Sequence, residues 1–273
     1  MSNIKSQIVA TIGPASSNYE TLKQMLQNGL GVVRFNFSWS DFDERREQIK
    51  IIRQLEKDLG REIPILADMP GPRIQQDKYH TYDHEAISAL TDKDRECIEF
   101  AVKEGVDYIG VSFVGDKQDV VDCKEFINQC GGTQKVLAKI ERVKAMDNLD
   151  EIINEADAIM VARGDLGNEA PVWQVPFLQG EIIKKAKDAG KPVITATEML
   201  LSMVSNPRPT RAEVTDVYHA IMLGSDYTML SEETSIGKYP VEAVTIMGEV
   251  IVEAEKHIKD VKPRNNLVRI SNV

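Results

Sequence analysis

Eight times along the chain a short run of aliphatic and β-branched residues gives way to a longer amphipathic stretch, and this alternation limits the possible folds more than any other feature. The runs are Gln7–Ile12, Val32–Phe37, Ile63–Asp68, Asp107–Phe113, Val136–Ile140, 158–162, Pro192–Ala196 and Asp226–Leu230. They are largely apolar, as strands buried on both faces of a parallel sheet must be. The stretches between them carry apolar residues at helical spacing. Examples are Leu22, Met25 and Leu26, then Ile49, Ile52, Leu55 and Leu59, and near the end Val241, Val244, Met247 and Ile251. Punctuation agrees with the periodicity. Ser17 or Asn18, and Thr91 with Asp94, offer N-caps; Gly60, Gly105, Gly190 and Gly224 stand at stops; Pro240 opens the last helix. Eight β/α units predict a (β/α)8 TIM barrel, a single domain over residues 1–262, with a C-terminal tail at 263–273. A doubly wound open sheet is the competing topology. It is weakened because Gly13-Pro14-Ala15-Ser16 is not the glycine-rich turn of dinucleotide binders.

One segment breaks the rhythm. In residues 69–90, Pro70, Gly71 and Pro72 rule out a helix, and the remainder is polar and rich in Tyr and His. It reads as a loop across the mouth of the fold, of a length that usually serves function.

Composition excludes several roles. A formal charge of −10 argues against non-specific binding to nucleic acid or to an anionic membrane. No stretch of about 18 apolar residues occurs, and the N-terminus lacks the apolar core of a signal peptide. The three cysteines, Cys97, Cys123 and Cys130, have no metal-ligand spacing and read as reduced thiols of a cytoplasmic protein.

In a barrel the chemistry collects at the C-terminal ends of the strands. Those ends carry Arg34, Asn36 and Ser38; Asp68; Ser112; Lys139 and Glu141; Arg163 and Asp165; Thr195 and Thr197; and Ser231, Glu232 and Glu233. The set contains neither histidine nor cysteine, which argues against zinc hydrolysis and thiolate catalysis. Glu141 and Asp165 suit Mg²⁺ or Mn²⁺, with Lys139 beside them. Such a pair can hold an α-keto acid and stabilise the enolate formed when a proton or carbon leaves. Backbone amides after Arg163, in the Gly-Asp-Leu-Gly turn, can receive the carboxylate. Lys139 as a Schiff-base lysine is disfavoured, because neighbouring carboxylates keep it protonated. Thr197 either passes a proton to the enolate face or merely finishes its strand.

Several longer motifs carry a resemblance. VATIGPAS at 9–16, RFNFS at 34–38, AKIE at 138–141, IMVARGDLG at 159–167, ATEMLLSM at 196–203, NPRPTRAEVTDV at 206–217 and MLSEET at 229–234 resemble, in order, the signatures of the pyruvate kinase barrel domain. The resemblance implies that Lys139 is the cation beside the transferred group and the enolate oxygen. It implies that Glu141 and Asp165 hold the divalent metal, and that amides around Gly164 and Asp165 take the substrate carboxylate. Thr197 then lies on the proton-transfer face, and Arg34 faces the phosphoryl group. Asn36, Ser38 and Asp68 correspond to a monovalent-cation site for K⁺. Arg163, Ser112 and Arg73 complete the expected substrate-binding set. The family assembles partly through barrel faces, so a homo-oligomer is expected.

The departures from the family pattern are one-sided. Only the 69–90 segment stands where the family inserts a lid domain, and no counterpart of its C-terminal domain is expected. A lysine of the family pattern is Pro70, an arginine is Gln75 (with Arg73 nearby), a histidine is Trp39 and a lysine is Ile236; Glu232 adds an acid. These changes lie on the nucleotide side and leave the enolate and metal side intact. Three functions are therefore weighed. The first, and preferred, is Mg-dependent enolate chemistry on pyruvate or a related 2-oxo acid, by aldol cleavage, aldol addition or decarboxylation. The second is a minimal pyruvate kinase moving phosphoryl from phosphoenolpyruvate to ADP, with Arg73 and Lys78 replacing lost cations. The third is a non-catalytic phosphoenolpyruvate-binding protein.

Overall fold

The computed structural model describes residues 6–39, 41–76, 79–86 and 88–258, so the tail expected over 263–273 and Lys78 lie outside the described residues. The first strands and helices are β1 (Gln7–Thr11), α1 (Tyr19–Gln27), β2 (Leu30–Asn36), α2 (Phe42–Leu59) and β3 (Ile65–Asp68). A hairpin of β4 (Arg73–Gln76) and β5 (Tyr79–Tyr82) follows. Then come α3 (Asp92–Lys103), β6 (Tyr108–Val111), α4 (Lys117–Gln129), β7 (Lys135–Ile140), α5 (Lys144–Asp147) and α6 (Leu149–Glu155). The remainder is β8 (Ala158–Ala162), α7 (Arg163–Glu169), α8 (Val175–Asp188), β9 (Val193–Ala196), α9 (Arg211–Leu223), β10 (Tyr227–Leu230), α10 (Glu232–Ser235) and α11 (Pro240–Lys256). Eight strands form a closed parallel barrel in the order β1-β10-β9-β8-β7-β6-β3-β2. The (β/α)8 expectation from alternation holds.

Two apolar layers explain why the runs lack a period of two. The outward side chains of the strands, such as Ile8, Val33, Ile65 and Val161, pack beneath the helices. The inward ones, among them Val9, Val32, Leu66, Leu137, Met160, Ile194 and Tyr227, fill the barrel interior. Local signals set the helix ends. Asn18 caps α1 by accepting from Thr21 N, and Thr91 and Asp94 form a reciprocal capping box on α3. Gly60 and Gly224 end α2 and α9 with left-handed backbone.

The structure departs from the sequence expectation in three places. The helix expected over 145–156 breaks at Asn148, whose side-chain amide donates to the Gly115 carbonyl at 2.9 Å and draws the chain toward the neighbouring unit. The Gly-Asp-Leu-Gly turn is the body of α7, a short helix that leaves β8 without a linker. The 69–90 segment contains an antiparallel hairpin, with Arg73 opposite Tyr82 and Ile74 opposite Thr81. Its root is fixed from below. Gly71 has φ +69°, and a Cβ there would lie 2.6 Å from Ser112 Cβ; its amide donates to the buried Asp94 carboxylate at 2.8 Å.

Candidate active site

Side chains from β2, β3 and β7 meet at the C-terminal mouth of the barrel. The Asp68 carboxylate lies between two cations: Arg34 Nε donates to Oδ2 at 2.7 Å, and Lys139 Nζ donates to Oδ1 at 2.9 Å. Lys139 also pairs with Glu141 Oε1 at 2.9 Å and donates to Ser112 Oγ at 2.7 Å, while Ser112 donates onward to the Met69 carbonyl. A second Arg34 nitrogen reaches Thr11 Oγ1 at 2.6 Å. All of these ionic groups are buried. Strand geometry explains the convergence, since inward positions of successive strands end at one rim.

Burial opposes charge on each of these groups, and the partners decide the outcome. Burial pushes the Asp68 carboxyl up, but Arg34 and Lys139 outweigh it and hold the group below the ordinary carboxylate range. Burial pushes Lys139 down, but Asp68 and Glu141 outweigh it and hold the ammonium above the ordinary lysine value. Glu141 goes the other way. Burial raises it, and repulsion from Asp165 and Asp68 adds to that, against the single attraction of Lys139. Two carboxylates that repel each other beside a fixed cation form a site that a metal ion would relieve.

Glu141 and Asp165 line one small cavity of about 110 Å³, together with Thr81, Tyr82, His84, Phe113 and, from α7, Asn168 and Glu169. Among the described residues no cluster of three or more His, Cys, Asp or Glu side chains converges on a point. Two carboxylates with space for water or substrate oxygens fit Mg²⁺ or Mn²⁺, which keep outside ligands, and do not fit an all-protein calcium cage. For a monovalent cation the structure offers the Ser38 hydroxyl, a buried oxygen with no hydrogen-bond partner among the described residues. Asn36 Oδ1 accepts from Ser38 N at 3.0 Å, and both Asp68 oxygens are occupied by Arg34 and Lys139.

The other side of the same mouth holds Thr197, just after β9. Its backbone has φ +76° and that of Glu198 φ +55°, conformations costly for a β-branched residue and its neighbour. Two groups hold this turn, half-buried Arg163 and buried Glu233. Arg163 donates from Nε to the Ala196 carbonyl at 3.1 Å and from a terminal nitrogen to the Thr197 carbonyl at 2.5 Å. Glu233 accepts from Leu200 N at 2.9 Å and from Ser231 N at 2.7 Å. A Cβ on Gly164 would lie 2.9 Å from Thr197 Cγ2, so glycine is needed where α7 begins.

Two expectations change. Arg163 was expected to bind substrate, but its guanidinium is spent on backbone carbonyls, on Asp216 at 2.7 Å and on Gln179 at 3.2 Å. It shapes the site rather than facing a ligand. Arg73 was also expected to bind substrate. It donates to the Pro70 carbonyl at 2.7 Å and lines a separate outer cavity of about 750 Å³ beside Trp39. The reasoning from sequence missed Tyr82, His84, Phe113, Arg142 and the clamp by Glu233. Only the Tyr- and His-rich composition of residues 79–84 hinted at the first two. Cys97 and Cys123 are buried free thiols, and burial pushes Cys97 up to about 12, consistent with no thiolate role. No helix among the described residues is long and apolar enough to cross a membrane.

Comparison with known proteins agrees with this geometry. A family model described as "Pyruvate kinase, barrel domain" matches residues 3–87 and 81–244, in two pieces that overlap at 81–87, across the end of the hairpin. A pyruvate kinase of Thermococcus litoralis is 37% identical over 333 aligned positions, covering 93% of this chain and 70% of the relative. Pyruvate kinase 2 of Synechocystis is 34% identical, covering 95% of this chain and 58% of the relative, and a pyruvate kinase of Bacillus licheniformis is 35% identical, covering 98% and 60%. The chain thus spans well under two thirds of the latter two relatives. The aligned stretch of 333 positions exceeds the 273 residues available, so the relative carries internal positions with no counterpart here. By fold, by motif order and by this similarity along nearly its whole length, the chain belongs to the pyruvate kinase family and contains that family's barrel domain.

Proposed function

We propose that this barrel transfers a phosphoryl group between phosphoenolpyruvate and a nucleoside diphosphate, the second of the three functions read from the sequence. The comparisons favour it over aldol or decarboxylation chemistry, because the relatives are named pyruvate kinases. The observation that carries it is Lys139, buried and ion-paired to both Asp68 and Glu141 at the rim that also holds Arg34. Phosphoryl transfer consists mainly of positioning and neutralising negative charge. Lys139 neutralises charge on the phosphoryl oxygens and on the enolate oxygen left behind. Arg34, oriented by Asp68, faces the departing group. Glu141 and Asp165 hold Mg²⁺ or Mn²⁺, which supplies Lewis-acid stabilisation when bound. Amides at Gly164 and Asp165 receive the carboxylate. Thr197 delivers the proton to the methylene carbon, and Asn36, Ser38 and Asp68 serve K⁺.

A second reading keeps the enolate half and omits the nucleotide. It is favoured by Trp39 and Ile236, large apolar side chains 66% and 61% exposed at the positions where the family pattern has a histidine and a lysine. Calorimetric titration of ADP in the presence of Mg²⁺ separates the two. Saturable, Mg-dependent binding supports the kinase; no heat at millimolar ADP contradicts it. Self-association is proposed through Val172, Trp173 and Phe177, which are 72%, 72% and 78% exposed around the start of α8.

A further inference from the structure

The cavity over Glu141 and Asp165 has a floor from the barrel and a roof from the hairpin. The roof is the end of β5 and the residues after it: Thr81, Tyr82 and His84. Tyr82 is the best anchored of these. The Arg142 guanidinium lies 3.7 Å from its ring centroid, Phe113 stands 5.4 Å away and His84 meets it edge-on at 5.1 Å. The same short stretch of β7 and its exit serves floor and roof, because Glu141 supplies a carboxylate and Arg142 carries the ring. Phe113 joins them as well. Its backbone is held at φ +56° while its amide donates to Glu141 Oε2 at 2.6 Å. The roof is therefore seated on strained and ionic parts of the barrel rim.

The cavity is small and partly open. At about 110 Å³ it lies far below the 300–1,000 Å³ of pockets that take drug-sized ligands. We propose that Tyr82 sets the size of the acid this site admits, accepting three-carbon 2-oxo acids and rejecting longer or branched ones. The inference rests on reading Glu141 and Asp165 as the 2-oxo acid centre. It assigns to this chain's own hairpin a selectivity role that does not depend on any inserted domain.

The test compares the unmodified protein with Tyr82→Phe and Tyr82→Ala, measuring binding of pyruvate and of 2-oxo-4-methylpentanoate in the presence of Mn²⁺. One misfitting methylene against an apolar wall such as the Tyr82 and Phe113 rings costs about 10- to 200-fold, so the unmodified protein should prefer pyruvate by at least about 10-fold. Tyr82→Phe keeps the ring and should keep that preference. Tyr82→Ala should shrink it to within about threefold by admitting the branched acid. An unchanged preference in Tyr82→Ala overturns the proposal, and so does a Tyr82→Phe variant that behaves like Tyr82→Ala. If the unmodified protein takes up neither acid, the 2-oxo acid reading fails, and the roof is judged by hydrogen exchange at the Phe113 amide. Exchange there should rise by about tenfold or more in Tyr82→Ala alone if Tyr82 covers the acid pair; equal exchange in all three proteins rejects the roof.

Discussion

Gly164→Ala is the sharpest structural test of the contact between Gly164 and Thr197. The added methyl would stand 2.9 Å from Thr197 Cγ2, where carbon atoms prefer about 3.5–4.0 Å. One of the two groups must therefore move by most of an ångström. Thr197 cannot yield cheaply, because its left-handed backbone is bound through its carbonyl by Arg163, and the turn beyond it is held at Leu200 by Glu233. Overpacking of this kind costs about 1–3 kcal/mol, and a misplacement of about 1 Å at a reacting centre can cost about 100-fold in rate. Thr197→Ser deletes the methyl in the way and keeps the hydroxyl. Denaturant unfolding of both single variants and the double variant forms a cycle. Gly164→Ala should lose about 1–3 kcal/mol, and adding Thr197→Ser should return most of it, a coupling of at least about 1 kcal/mol. Turnover should fall and recover in parallel. Additivity within about 0.5 kcal/mol would falsify the idea that these two residues share one tight contact.

Other consequences are as direct. Glu233→Gln places an amide nitrogen against one of the two backbone amides the carboxylate now serves, so kcat should fall by about tenfold or more with KM nearly unchanged; equal kcat shows that the clamp does not position Thr197. Glu213 accepts from the backbone and hydroxyl of both Ser202 and Thr210, and although burial raises it, these bonds hold it below the ordinary glutamate range. A lowered folded-state value means its stabilisation is present above the unfolded carboxylate range and is lost as pH falls through the folded one. The stability gap between the unmodified protein and Glu213→Gln, about 1 kcal/mol for a helix cap at pH 7, should therefore close on acidification, and a gap that stays constant with pH contradicts the assignment. Phe177→Asp should convert an oligomer to a smaller species in sedimentation analysis; an unchanged mass places the interface elsewhere.

Strand and helix positions were legible because each local signal agreed with the global fold. Asn18, Thr91 with Asp94, Gly60 and Gly224 act where their chemistry suggested. The charged members of the site were legible as strand ends, and Lys139, Glu141, Asp68 and Arg34 do converge. Backbone conformation was not. Thr197 and Phe113 carry left-handed backbone with side chains that disfavour it, so their residue types point away from what the tertiary contacts impose. Arg163 misled for a related reason. A strand-end arginine looks like a ligand for substrate, and only the turn at 196–199 shows that backbone carbonyls take its donors. The hairpin was hidden because its pairing partners are polar and aromatic, and its contacts are with Phe113 and Arg142, far along the chain.

The most direct test of the central claim is an NMR time course of phosphoenolpyruvate, ADP, Mg²⁺ and K⁺ with high enzyme, run beside Lys139→Ala. Removing a group that stabilises developing charge costs about 100- to 1,000-fold, so the unmodified protein should make ATP and pyruvate at a rate at least about 100 times that of the variant. Equal rates in the two proteins, or no ATP from either, would contradict the phosphoryl-transfer account.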